Sequence, residues 1–380
     1  MIFNESHGDD CRPKLARESF YEFLDRSSLE PCIRIRSLIN ELVAEYPPSD
    51  KADVVGRLKS SDESDFRSAL FEIVLYRLLC RFCDEVVVHP LLENGFKPDF
   101  GMLFDDGSKI YVEAVLASER NGLTPSGQRL IETTLDSLNA HAHHSFWLAV
   151  ESSGEPSAQP SAKDLKGRIH SWLDSLNPDA ESADEEFRRV FDIEGWSLSC
   201  IAIPLKPEQR GSSTRLLLSK GNGANWVNRS DSIRDAIVSK ANKYGKLDAP
   251  LIVAVNCNCF TLDEHEELDA LFGGLRYNFI QDRPDIEAWL SRASDGAWNG
   301  RKGPRYKGVS AAWIFRDLQI YSFSIAEYVL YINPWSRHCL PSSLLELSNY
   351  RIDDTDGRLY PGLSTKSMLG LGDEWPSKKS

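Results

Sequence analysis

The sequence predicts an α/β fold: a mixed sheet flanked by helices, with further helices before it and an α/β elaboration after it. Three observations carry this. A strong helical pattern over residues 65–82 is followed by three short strand patterns at 85–90, 99–104 and 109–117. A helical stretch over 126–139 and a strand pattern over 145–151 complete that run. Beyond residue 163 the same alternation resumes, with a helix over 231–244 leading into the apolar strand 250–256.

Taken in order, residues 14–45 read as helix interrupted near Glu30-Pro31, and Pro47-Pro48 ends that region. The helix from Asp65 to Phe82 has Ser64 available as a cap and Asp65 in its electropositive first turn. Val86-Val87-Val88 marks the first strand, and Asp105-Asp106-Gly107 reads as a hairpin turn joining the second strand to the third. The Ser-, Pro-, Gly- and Ala-rich stretch 152–163 reads as a linker. The expected divisions are therefore an N-terminal helical segment over 1–64, a core over 65–151, a C-terminal α/β region over 164–340 and an irregular tail over 341–380.

Composition narrows the class. Among 380 residues, 41% are hydrophobic and 27% charged, as in globular proteins generally. No apolar run reaches the ~18–20 residues of a membrane span. The segment Met1-Ile2-Phe3-Asn4-Glu5 lacks the basic and apolar parts of a secretory signal, so a cytoplasmic location without membrane attachment is expected. The net charge of −13 argues against a general coat for DNA, yet leaves room for a local basic patch. Eight cysteines, with Cys80-x-x-Cys83 as the single CxxC, are too irregular for a disulfide framework and read as reduced thiols.

The chemistry concentrates in three acids. On the 65–82 helix, Arg67, Arg77 and Arg81 share a sector of about 80°, while Glu72 lies about 140–180° away among Leu75, Tyr76 and Leu79. A carboxylate in an apolar sector needs a metal, a cation or a hydrogen-bond network, and a structural salt bridge is one of those readings. Asp99 follows Pro98 at the start of a strand. Glu113 sits within Ile110-Tyr111-Val112-Glu113-Ala114-Val115-Leu116, on the strand face of Tyr111 and Val115. Adjacent strands lie ~4.8 Å apart, so acids on two of them can share one cation. Mg²⁺, or Mn²⁺, suits a site with few carboxylates because it keeps several waters.

Glu72, Pro98-Asp99 and Glu113, in this order of elements, resemble the PD-(D/E)XK (restriction-endonuclease-like) nuclease superfamily over about residues 65–151. The resemblance implies a restriction-endonuclease-like sheet and a Mg²⁺-dependent endonuclease acting on phosphodiester bonds, most readily of DNA, with a role in bacterial defence or DNA processing. It implies Asp99 and Glu113 as metal ligands, with Glu72 orienting the ion or a water. Members of the superfamily often dimerise, so a homodimer or a partner protein is allowed for.

One position departs from the motif. Glu113-Ala114-Val115 has valine where the superfamily has lysine, and an aliphatic side chain cannot stabilise developing negative charge. Lys109 is about 13 Å along the strand from Glu113, too far to replace it. Lys97, about 7 Å from Asp99, has a stem that spans that gap and is the expected replacement. Lys240 and Lys243 are further candidates whose placement the sequence leaves open. An inactive nucleic-acid-binding derivative and a protein-interaction subunit stand as alternatives.

Two basic segments extend the picture. Residues 204–248 carry nine Lys/Arg against four Asp/Glu, a local net of +5 that includes Lys240 and Lys243. Residues 298–307 interleave Arg301, Lys302 and Arg305 with Trp298 and Tyr306, a composition that suits phosphate contact and base stacking. His141, His143 and His144 read as a helix terminus rather than a zinc site. Charge reversal at Arg301, Lys302 and Arg305 is expected to weaken nucleic-acid binding and flatten its salt dependence in an anisotropy titration. Unchanged affinity at every salt concentration would count against a role for this segment.

Overall fold

A computed structural model of the chain describes residues 2–4, 10–15, 18–117, 124–179, 185–193, 195–211, 216–220, 229–257, 262, 264–278, 289–353, 356–373 and 375–376. Four helices come first: α1 (Phe20–Arg26), α2 (Glu30–Glu45), α3 (Lys51–Leu58) and α4 (Glu63–Leu79). The break before α2 falls where Pro31 enters its first turn, a position that needs no backbone N–H. Helix α4 starts two residues earlier than the sequence predicts, because Asp62 rather than Ser64 is the cap: its carboxylate accepts the Ser64 N–H at 2.8 Å.

Strands β1 (Glu85–Val88), β2 (Phe100–Leu103) and β3 (Lys109–Ala117) follow as an antiparallel meander. The hairpin between β2 and β3 turns at Asp105-Asp106-Gly107, where Gly107 takes φ +80° and the Asp106 carboxylate accepts the Ser108 N–H.

From here the chain departs from the expected order. Helix α5 (Pro125–Asn139), β4 (Phe146–Gly154), α6 (Ala162–Asp174), β5 (Arg188–Ile193), β6 (Trp196–Pro204) and β7 (Leu217–Lys220) belong to a separate compact unit. The main body resumes with α7 (Arg229–Lys243), β8 (Leu251–Cys257), α8 (Glu264–Phe272) and a small hairpin, β9 (Leu275–Asn278) with β10 (Trp289–Arg292). It continues through a two-residue-strand hairpin, β11 (Asn299–Gly300) with β12 (Gly303–Pro304), then β13 (Val309–Arg316), β14 (Glu327–Ile332), β15 (Asn349–Asp353), β16 (Asp356–Tyr360) and α9 (Thr365–Met368).

The protein is thus α/β with an eight-stranded mixed sheet, ordered β1-β2-β3-β8-β13-β14-β15-β16 and flanked by helices. Its centre is parallel: β3 pairs β8, and β8 pairs β13. All seven residues of β8 are buried, as a parallel strand covered on both faces requires. One face packs on α1–α4 through Phe66, Ile73, Phe100, Val112, Trp313 and neighbours. The opposite face packs on α7 and α8 through Ile233, Ile237, Leu271, Val253, Val255 and Ile314.

The expected divisions change accordingly. One compact unit comprises residues 1–12, 20–119 and 228–380, and the other comprises 13–19 and 120–227. The segment 65–151 is therefore not one core: β4 joins a four-stranded sheet, β5-β6-β4-β7, whose apolar face packs on α5 and α6. Phe146, Leu148 and Val150 alternate with more exposed residues along β4, the pattern of a sheet covered on one side, whereas β8 is buried throughout and apolar from Leu251 to Val255. The tail expected to be irregular supplies β15 and β16 to the main sheet, and α1, α2 and α3 pack into the same core as α4.

No helix among the described residues is long and apolar enough to cross a membrane. Cys80 and Cys83 are unpaired, and burial pushes both thiols up, that of Cys83 to about 11, so neither is a ready thiolate. Of the Cys257-x-Cys259 pair, Cys257 closes β8 and Cys259 lies outside the described residues.

A buried ion network pins α8 to the sheet. The Glu267 side chain has no exposed surface, accepts two hydrogen bonds from Arg316 at 2.8 and 2.6 Å, and accepts the Tyr331 hydroxyl at 2.5 Å. Burial raises its carboxyl above the ordinary range despite these donors. Glu267→Ala removes the partner of a mostly buried guanidinium and should cost about 3–5 kcal/mol in urea unfolding. Glu267→Gln, which keeps an acceptor, should cost less; equal, small losses in both would show that the network does not hold α8.

Candidate active site

Pro98 has no N–H to give to a neighbouring strand, so the β2 ladder begins at Phe100, paired with Val112. Beyond that pair the next β3 donor, the Ala114 N–H, is taken by the Asp99 carboxylate: Oδ2 accepts it at 2.7 Å. The Asp99 backbone carbonyl accepts the His89 N–H at 3.0 Å. Asp99 is therefore fixed between β1 and β3 at the point where regular pairing stops. Its second oxygen, Oδ1, has no hydrogen-bond partner among the described residues.

Glu113 lies at the middle of β3, opposite Val253 of β8, on the face covered by α7. Its side chain is 0% exposed. A lone carboxylate cannot be buried charged, and α7 supplies the answer. Lys240 and Lys243, three residues apart in its last turn, both reach Glu113. Lys240 Nζ donates to Oε2, and Lys243 Nζ donates to Oε1 at 3.3 Å. The same Lys240 Nζ is 4.0 Å from Asp99 Oδ2, so one ammonium stands between the two acids. Burial and the Asp99 charge raise the Glu113 carboxyl, opposed by Lys240 and then Lys243.

Asp99 and Glu113 thus meet as the sequence predicts, but the lysine beside them is not the expected one. Lys97 is exposed, and its contact with the centre is through its backbone carbonyl, which accepts the Tyr244 hydroxyl at 3.2 Å. Its positive charge acts on the Asp50 carboxyl, which it helps to lower. The reach from residue 97 to 99 was sufficient; the direction was not, because Pro98 takes residue 97 out of the strand ladder. Val115 packs with the α7-side core.

Glu72 is also placed differently. It faces the α1–α4 layer, across the sheet from Glu113: Oε1 accepts the Tyr46 hydroxyl at 2.6 Å, and Oε2 pairs with Arg57 at 2.7 Å. Glu72 thus forms a structural ion pair on the other face of the sheet from Glu113 and does not join the two strand acids.

The basic segments separate. Residues 206–220 fall in the unit 120–227, whereas Lys240 and Lys243 are in the main body. Trp298 is fully buried against Phe272, at 5.4 Å between ring centroids, and cannot stack on a base. Arg305 donates to the carbonyls of Ala297 and Gly296 at 3.1 and 2.8 Å and clamps its own loop. Of the three cations Arg301, Lys302 and Arg305, only the first two are exposed, at the turn between β11 and β12, and reversal of these two is the cleaner probe of that segment. In the other unit His143 Nε2 lies 3.0 Å from Asp174 Oδ1, a structural hydrogen bond beyond the end of α5.

Among the described residues no three His, Cys, Asp or Glu side chains group as metal ligands. Two carboxylates nonetheless fit Mg²⁺, which takes one or two and completes its shell with water and substrate phosphate. The donor set has a further property: two acids and two lysines cancel, so the centre carries no net charge to attract a cation. Metal binding to the protein alone should accordingly be weak. Lys243→Ala, which frees Glu113 Oε1, should tighten Mn²⁺ binding by roughly tenfold in calorimetry, the sign expected from removing a like charge a few ångströms away. An unchanged or weaker affinity would place the cation elsewhere.

The helix, the glycine turn and the apolar strand behind it are legible in the sequence, and so is the pair of lysines at i and i+3 in the last turn; which strand that turn lies over is not. The intervening unit 120–227 separates the pair from Glu113 in the chain. Comparison of the chain with family models, curated proteins and solved structures returns no match.

Proposed function

We propose that the protein is a metal-dependent nuclease that hydrolyses phosphodiester bonds, most readily of DNA, as a divergent restriction-endonuclease-like enzyme. The single observation that carries this reading is the Lys240 ammonium set between Asp99 and Glu113. It supports the recovery, from α7, of the cation that Val115 removed from β3. The order helix, three-stranded meander, helix, parallel strand (α4, β1–β3, α7, β8) supports it further, once the unit 120–227 is treated as an insertion.

In this reading Asp99 and Glu113 hold Mg²⁺ or Mn²⁺, which when bound polarises a phosphoryl oxygen and lowers the pKa of its water. Asp99 is preset for the task, because the Ala114 N–H fixes one oxygen and the other has no hydrogen-bond partner among the described residues. Lys240 leaves Glu113 for the developing charge on the phosphate, where a preorganised cation in a site shielded from water acts strongly. Lys243 would meet a substrate phosphate and release Glu113 Oε1, so that Asp99 and Glu113 would hold a cation more firmly with substrate present than without it.

A second reading has one observation in its favour: the two acids are fully neutralised by the protein's own lysines, as in an inactive nucleic-acid-binding derivative or a protein-interaction subunit. Cleavage decides between them. Supercoiled plasmid, linear duplex and single-stranded DNA are incubated with Mg²⁺ or Mn²⁺. The wild type should cut, and Asp99→Ala, Glu113→Ala and Lys240→Ala should each lose about 10²–10³ in rate, whereas Glu72→Gln should lose far less. Wild-type rates in Glu113→Ala would sink the assignment. No cutting of any substrate by folded protein that still binds DNA would select the inactive derivative.

A further inference from the structure

The loop between β1 and β2 exposes two large apolar side chains, Leu91 at 71% and Phe96 at 46%. The fold does not require either of them outside, since the same loop buries Leu92 in the α7-side core. Nor is the loop slack. Leu92 N–H donates to the Phe96 carbonyl and Gly95 N–H to the Leu92 carbonyl, both at 2.9 Å, with Gly95 at φ +82°. The Phe96 N–H donates to Asn94 Oδ1 at 3.1 Å, and Asn94 Nδ2 donates in turn to the Tyr244 carbonyl at 3.0 Å. The Tyr244 hydroxyl closes the circuit on the Lys97 carbonyl. An aromatic ring is thus displayed on a loop fastened at two points to the end of α7.

That ring stands close to the acids. Lys243 Nζ touches Glu113 at 3.3 Å and lies 4.9 Å from the Tyr244 ring centroid, which is 6.0 Å, edge to face, from the Phe96 ring. These three short steps span only a few nucleotides of a stacked strand, at roughly 3.4 Å each. Lys97, Lys243 and Lys246 are exposed around the same turn. The acids there are Glu93 at the loop tip, Asp248, paired with Lys109, and Asp50, paired with His89. A cation-flanked aromatic on a fixed support is what an unstacked base requires, whereas a base inside a duplex has no open face to offer.

We infer that Phe96, with Leu91 in the same loop, is a stacking platform for an unpaired base, so that the substrate class is a single strand or an unpaired end whose phosphates are met by Lys97, Lys243 and Lys246. This rests on the phosphodiester reading above and adds the form of the substrate. A rigid platform binds without the ordering cost of a mobile one.

The test is anisotropy with fluorescein-labelled oligodeoxythymidine, oligouridine and a blunt DNA duplex, in EDTA so that no strand is cut. The wild type should prefer the single strands. Phe96→Leu, which keeps apolar bulk but removes the ring, should weaken single-strand affinity about 5- to 150-fold, the span of one lost base–aromatic stack. Duplex affinity should change less than twofold, and Phe96→Trp should bind single strands at least as well as the wild type. A loss confined to one of the two oligonucleotides supports the platform and says whether it serves DNA or RNA. Single-strand affinity unchanged in Phe96→Leu overturns it, as does self-association that this variant abolishes while strand affinity stays the same. If metal-dependent cutting persists in that case, the hydrolase reading stands without the platform. If strands bind through Phe96 but are never cut, the platform stands and hydrolysis falls.

Discussion

A carboxylate with no exposed surface, placed at the centre of a sheet, sets the terms for the rest of the main body. Glu113 cannot be buried as an unaccompanied anion, and its neighbours on β3 and β8 are apolar. The cations must come from above, which fixes where α7 lies and where it ends. Lysines at the last turn are also favoured by the negative end of the helix, so the helix terminus and the buried acid ask for the same residues. With Lys240 over the centre, Tyr244 and the glycine turn behind it are carried to the β1–β2 loop. The position of one buried acid thus propagates to the shape of the surface beside it.

Another fully buried acid, Glu267 of α8, is handled in another way. Glu267 is enclosed by a bidentate arginine and a tyrosine hydroxyl, with every partner at hydrogen-bond distance. Glu113 has flexible lysines with rotatable ammonium groups instead of a planar fork. Arginine holds a carboxylate in fixed geometry, whereas lysine can leave and return. That contrast separates an acid that fastens α8 from an acid that can change partners.

Much of this was legible in the sequence, and the limits have physical causes. The bounds of β3, the Asp-Asp-Gly hairpin and the convergence of Asp99 with Glu113 all follow from local rules of alternation, turn chemistry and strand spacing. Glu72 shows where such rules stop: its apolar sector announced a need for a partner, but nothing along α4 says that Arg57 of a different helix meets it. Lys97 failed for a similar reason, since reach along a strand is known from sequence while side-chain direction past a proline is not. The strand expected over 145–151 does form, as β4, but in the other sheet. Its alternation marked it as half-covered, while the unbroken apolar run of β8 marked the true neighbour of β3. Over a hundred residues of intervening chain concealed that pairing from any argument based on proximity in sequence.

That interruption bears on how the molecule is assembled. Lys240 and Glu113 are 127 positions apart, so during synthesis the acid emerges from the ribosome well before its counter-ions. Until α7 arrives, seating β3 in the sheet would bury a bare anion, and the meander β1–β3 has no parallel neighbour to cover its inner edge. The inserted unit, with its own apolar centre, can collapse by itself meanwhile, and the entropic cost of closing a chain across it grows only slowly with length. The charge of Glu113 can therefore be matched by its lysines only after the whole of residues 120–227 has been made, which ties closure of the main sheet to a late stretch of the chain.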